Sequence, residues 1–156
     1  MRQIWNQYYD EAAGVVLVVD AADHRRLNEA LSVAVEVLRS SRLEGVPLLI
    51  LANKNDKVGA VDAQTLYTRL VESLRDGGVR DLPSSAAAGG GSASSASAGK
   101  SSRAAPAMHI QLLRHAVIIA SISALACDGV KESVQAFIPS VRENAVASKA
   151  AAARSS

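Results

Sequence analysis

Two hydrophobic rhythms alternate along this chain. Gly14–Asp20 (GVVLVVD) is an unbroken β-branched run, too short for a helix and apolar at every turn of the pleat, which predicts a strand buried on both faces. Leu27, Leu31, Ala34, Val35 and Leu38 then recur at helical spacing behind Asp23, whose carboxylate can cap the first turn. Pro47–Ala52 (PLLILA) predicts a second buried strand. Leu66, Leu70 and Leu74 stripe a second helix that starts near Asp62 and stops at Gly77-Gly78. Further on, His115–Ile122 (HAVIIASI) restores strand character, and Val130, Val134, Phe137, Ile138 and Val141 define a last helix. The order β, α, β, α, β, α implies three parallel strands joined by right-handed crossovers in an α/β fold. Its first strand would present an apolar edge to water, an aggregation hazard unless something lies beside it.

Between the second and third βα units the rhythm stops. From Pro83 to Pro106 the chain is almost entirely Ser, Ala and Gly, with Lys100 and Arg103 as the exceptions. Such a stretch has too little apolar surface to offset the entropy of ordering it. The expected organisation is therefore βα βα over residues 1–82, a disordered loop over 83–107, the last strand and helix of the same domain over 108–146, and a flexible Ala-rich tail over 147–156.

Composition narrows the function classes. With 156 residues, 49% hydrophobic and 21% charged, the chain fits one globular domain. A net charge of +2 without a basic run gives no nucleic-acid footprint. A single cysteine, Cys127, rules out an intramolecular disulfide and suits a reducing compartment, so a cytoplasmic location is expected. No secretory h-region, no Gly after Met1 and no apolar run of spanning length is present. His24, His109 and His115 lack metal-ligand spacing, so no metal site is expected and surface or strand-end roles suit them better. Cys127 has no histidine placed by sequence to activate it. Asp20 and Asp23, at the end of the first strand, read as caps of the next helix rather than as catalytic acids.

The chemistry sits at the strand ends. Asn53-Lys54-Asn55-Asp56 follows the second strand directly, where doubly wound α/β proteins present base-binding loops, and Ser123-Ala124-Leu125 follows the third. With WNQYYDEAAGVVLVVDAAD before them and an amphipathic helix after SISALACDGV, these segments resemble the carboxyl-terminal half of the Arf branch of Ras-like small GTPases, most of all the Arf-related proteins. The resemblance covers Ile4 to about Leu74 and His115 to about Arg142. It implies a partial P-loop NTPase fold: three parallel strands with helices, missing the first strands and the phosphate loop.

By that resemblance Asp56 accepts hydrogen bonds from the guanine ring N–H and exocyclic amine, Asn53 braces the loop, and Lys54 lays its methylene stem along base and ribose. Ser123 supports Asp56, and the backbone N–H of Ala124, followed by Leu125, faces the guanine carbonyl. The competing plain reading is a polar turn at 53–56 and a helix cap at Ser123.

The resemblance also implies absences. A Gly-rich phosphate loop, switch I and the glutamine that orients the hydrolytic water would all fall before Met1, which leaves GTPase activity open and assigns no catalytic residue here. GTP or GDP would bind weakly or not at all, and magnesium only with the missing half. Ser94–Ser101 (SSASAGKS) mimics the end of a phosphate loop, but Ser stands where its first Gly belongs and no strand precedes it. Trp5 and Tyr8 match positions near an effector-read aromatic patch, and core packing remains an equal reading for Trp5. The functional expectation is a truncated Arf-like GTP-binding protein of vesicle and Golgi traffic, with effectors and exchange factors as partners and peripheral membrane contact only through the missing segment. The alternatives are a nucleotide-independent interaction module and a non-functional truncated product.

Overall fold

A computed structural model describes residue 5, residues 7–75 and residues 107–154, the last six as backbone alone. The expected disordered loop and the phosphate-loop mimic at Ser94–Ser101 lie outside the described residues, apart from Ala107 at the loop's end.

Seven principal elements are present: β1 (Val15–Asp20), α1 (His24–Arg39), β2 (Leu48–Asn53), α2 (Ala63–Arg75), β3 (Met108–Leu112), β4 (His115–Ser121) and α3 (Val130–Arg154). They form one sheet in the order β1-β2-β4-β3. β1, β2 and β4 run parallel, as the sequence implies, with Val15 opposite Leu48 and Leu48 opposite Val117.

The pleat divides β2 between two cores. Leu48, Ile50 and Ala52 face α1 and α2, where Leu27, Leu31, Leu38, Leu66 and Leu70 meet Val117 and Ile119. Leu49 and Leu51 face the other way, onto Ile118, Ala120, Ile122 and Phe137 beneath α3. A strand covered on both sides needs apolar residues at every position, which is why β2 reads as a continuous run. Burying a leucine fully is worth about 1.5–3 kcal/mol, and both Leu48 and Leu49 are sealed from solvent.

Three features depart from expectation. A fourth strand, β3, pairs antiparallel with β4 through a two-residue turn at Leu113-Arg114. Its side chains alternate, with Met108, Ile110 and Leu112 packing on the larger core while His109 and Gln111 stay exposed. Second, α3 continues to Arg154 instead of fraying after Ala145, because its closing AAAA run has the highest intrinsic helix propensity. Third, β1 is not buried on both faces as expected, because α3 leaves its outward-facing valines uncovered; ahead of it the aromatic stretch forms a short 3₁₀ turn at Tyr9–Glu11, where Tyr9 packs on the core.

Asp23 caps α1 as expected, its Oδ1 accepting from the backbone N–H of Arg25 at 3.1 Å and of Arg26 at 3.2 Å. α3 covers the sheet incompletely. Val16 and Val18 remain 52% and 58% exposed on its side of β1, and Val134 and Ile138 of the expected stripe are also exposed. Among the described residues β1 has no strand on its outer edge. No helix among them is long and apolar enough to cross a membrane.

Candidate functional site

All three parallel strands end on one rim of the sheet, and the loops leaving it converge. β2 gives way to Asn53, Lys54, Asn55 and Asp56, and β4 gives way to Ile122, Ser123 and Ala124. Backbone bonds hold the two exits together: Ile122 N–H donates to Ala52 O at 2.9 Å and Asn55 N–H to Ile122 O at 3.0 Å.

Side chains complete the join. Ser123 Oγ–H donates to Asp56 Oδ1 at 2.5 Å. Asn53 Oδ1 accepts from Ala124 N–H at 3.0 Å and from Lys54 N–H at 2.8 Å, bracing its own loop and the opposite one together. Ser123 is itself buried and its Oγ accepts from Ala126 N–H at 3.2 Å, while reciprocal backbone bonds between Ser123 and Asp128 close the segment into a tight turn. That turn projects Leu125, which is 90% exposed.

The structure brings Asn53, Asp56, Ser123 and Ala124 together, while Lys54 reaches toward β1 and Leu125 projects into solvent. The Ala124 N–H, expected to face a base carbonyl, is directed at Asn53 Oδ1 in this structure. Trp5 and Tyr8 lie elsewhere, both exposed, with Trp5 in a groove of about 220 Å³ against Leu17, Val18, Ala30 and Val33 beside the open edge of β1. Neither a core role nor a place at the strand-end loops fits Trp5.

Electrostatics keep Asp56 ionised. The Ser123 hydroxyl holds the Asp56 carboxyl below its ordinary range, helped by Lys57 and Lys54 and opposed by desolvation. Lys54 adopts the left-handed backbone conformation, φ 70°, that glycine takes freely and other residues avoid. Its side chain turns toward β1, where Nζ donates to Asp20 Oδ2 at 2.5 Å.

Two contributors went unread in the sequence. Ser121 Oγ accepts from Ala63 N–H at 2.9 Å, seating the start of α2 against the end of β4. Asp20 ties Lys54 to β1 instead of capping α1. No sequence signal separates that use of a strand-end carboxylate from a cap.

Three parallel strands whose carboxyl-end loops bring an acid, an amide and a small-residue turn together give the α/β architecture of the small-GTPase type. The ADP-ribosylation factor family model matches residues 1–141, and the chain belongs to that family. It is 39% identical to ADP-ribosylation factor-like protein 3 of Chlamydomonas reinhardtii over 77 residues, 49% of this chain and 44% of that one. It is 34% identical to ADP-ribosylation factor-related protein 1 of Rattus norvegicus over 86 residues, 55% of this chain and 43% of that one. The chain thus spans less than half the length of these curated relatives. Among solved structures, the Arl6 BBS3 small GTPase from Trypanosoma brucei, with the nucleotide analogue GppNp bound, superposes with a TM-score of 0.60 at 24% identity. The superposition covers 92% of this chain and 66% of that one, and at that identity it speaks for the fold.

Proposed function

We propose that this chain carries the guanine-recognising side of a GTP-controlled switch, acting within an Arf-type protein that regulates vesicle and Golgi membrane traffic from the cytoplasmic side through effectors and exchange factors. The reading rests on the double join of the strand-end loops, Ser123 to Asp56 and Ala124 to Asn53.

Its chemistry is a matched fork. An ionised Asp56 offers acceptors to the ring N–H and exocyclic amine that guanine presents together. Adenine lacks that pair, and a polar group left unpaired by the wrong base is strongly penalised. Asn53 and the 123–128 turn hold the acid in place, and the Lys54 stem supplies an apolar wall. Two charge-assisted hydrogen bonds contribute roughly 3–6 kcal/mol, against an association cost of about 4–15. This chain alone should accordingly bind GDP at about millimolar affinity or weaker. Tight binding, magnesium and hydrolysis would need phosphate contacts beyond the loops of Asn53 and Ser123.

Titrating the chain with GDP, IDP and ADP by amide NMR tests this. The expected result is shifts at Asn53–Asp56 and Ser123–Leu125 with GDP ahead of IDP, which lacks the exocyclic amine, and ADP last. Equal responses to GDP and ADP would refute base recognition. The exposed Trp5 and Tyr8 favour a second reading, a nucleotide-independent interaction module. A chain that unfolds cooperatively yet shows no nucleotide shifts would support it, and non-cooperative unfolding would favour a product without independent function.

A further inference from the structure

Asp20 closes β1 directly opposite Asn53 in the parallel register. From Asn53 the chain sends two charged side chains in opposite directions: Asp56 toward β4, where Ser123 receives it, and Lys54 toward β1, where Asp20 receives it. The two oxygens of Asp20 divide their work. Oδ1 accepts from Ala22 N–H at 3.1 Å and fixes the turn into α1, while Oδ2 accepts from the Lys54 ammonium at 2.5 Å.

We propose that Asp20 is a positioning residue for nucleotide binding: by anchoring the Lys54 ammonium to β1 it stretches the lysine stem into the wall on which base and ribose lie. The assignment rests on the guanine-recognition reading above. A free lysine would lose its rotamer freedom only when ligand arrived, weakening the complex, whereas a lysine already tethered has lost it beforehand. The pair stays ionised through neutral pH, since Lys54 holds the Asp20 carboxyl below its ordinary range and Asp20 raises Lys54 in turn.

The side chains of the pair are only partly covered, 43% exposed for Lys54 and 37% for Asp20, so its effect is modest. Asp20→Asn is the informative variant because it keeps an oxygen for the Ala22 bond and removes the charge. Amide NMR titrations with GDP on wild type, Asp20→Asn, Lys54→Met and the double variant form a cycle. Asp20→Asn should raise the Kd about two- to fivefold, Asp20→Glu should restore part of the loss, and Asp20→Asn should add nothing once Lys54 is Met. An equal loss in the Lys54→Met background would show that Asp20 acts on the β1–α1 turn, overturning the proposal. Wild-type binding unchanged by Asp20→Asn would overturn it while leaving guanine recognition standing. A wild-type chain without GDP shifts would remove both.

Discussion

Asp56 stays ionised because a buried hydroxyl points at it. Its lowered pKa fixes the sign of a pH effect: the folded state gains from the Ser123 bond above the unfolded carboxyl value, about 3.9, and loses that gain as pH falls through the lower folded value. Asp20 follows the same rule through Lys54, and Asp62 through the backbone N–H of Thr65 at 2.8 Å. Denaturant unfolding should therefore show stability level near neutrality and declining below about pH 4. Ser123→Ala should lower the neutral plateau, and a carbon-detected NMR titration should find the Asp56 pKa moved up toward its ordinary range. An unmoved Asp56 would show that Ser123 does not govern it. The residues of this site were legible in the sequence because Asn-Lys-x-Asp behind a buried strand and Ser-Ala-Leu behind the next leave few other uses for such side chains. Asp20 was not legible, since an acid at a strand end looks the same whether it caps a helix or holds an ammonium.

At the scale of elements, α3 sits where it does because Gly14 has no side chain. A Cβ built on Gly14 would lie 2.8 Å from Val141 Cγ2 and 3.0 Å from Phe137 Cζ, too close for contact on either. Gly14→Ala should force α3 outward and cost about 1–3 kcal/mol, read as a lower midpoint in urea, with new exposure at Phe137. An unchanged midpoint would mean that α3 shifts without resistance. The helices and parallel strands were readable because each keeps a single period, with Leu27, Leu31 and Leu38 on one face of α1 and apolar residues at every position of β2. β3 escaped notice for a local reason. Hairpins announce themselves through Gly or Asn in the turn, and here Leu113 occupies the left-handed position at φ 53° with Arg114 after it. Five alternating residues beside a Ser/Ala/Gly tract carry too weak a signal to compensate.

At the scale of the molecule, the two sides of the sheet end differently. β3 shows His109 and Gln111 to solvent, whereas β1 shows Val16 and Val18, and α3 leaves Val134 and Ile138 exposed. Among the described residues no strand pairs with this edge, and an apolar edge left so invites pairing with another chain. The purified chain should sediment as a mixture of species, and Val16→Lys with Val18→Lys should shift it toward monomer without altering its circular dichroism. A wild-type chain that is monomeric at high concentration would contradict this.

The β3 hairpin also decides where the Ser/Ala/Gly tract is tethered. Its upstream anchor, α2, ends at the opposite rim from the loops of Asn53 and Ser123, where Arg39 Nη2 donates to Leu74 O and His115 lies against Leu38 O. Its downstream anchor is Met108, opposite Ile119 and two residues short of Ser121. Without the hairpin both tethers would leave from the far rim. With it, the described chain begins again at the rim that carries the Asn53 and Ser123 loops, so a tag or lengthening placed ahead of Ala107 is delivered to their doorstep.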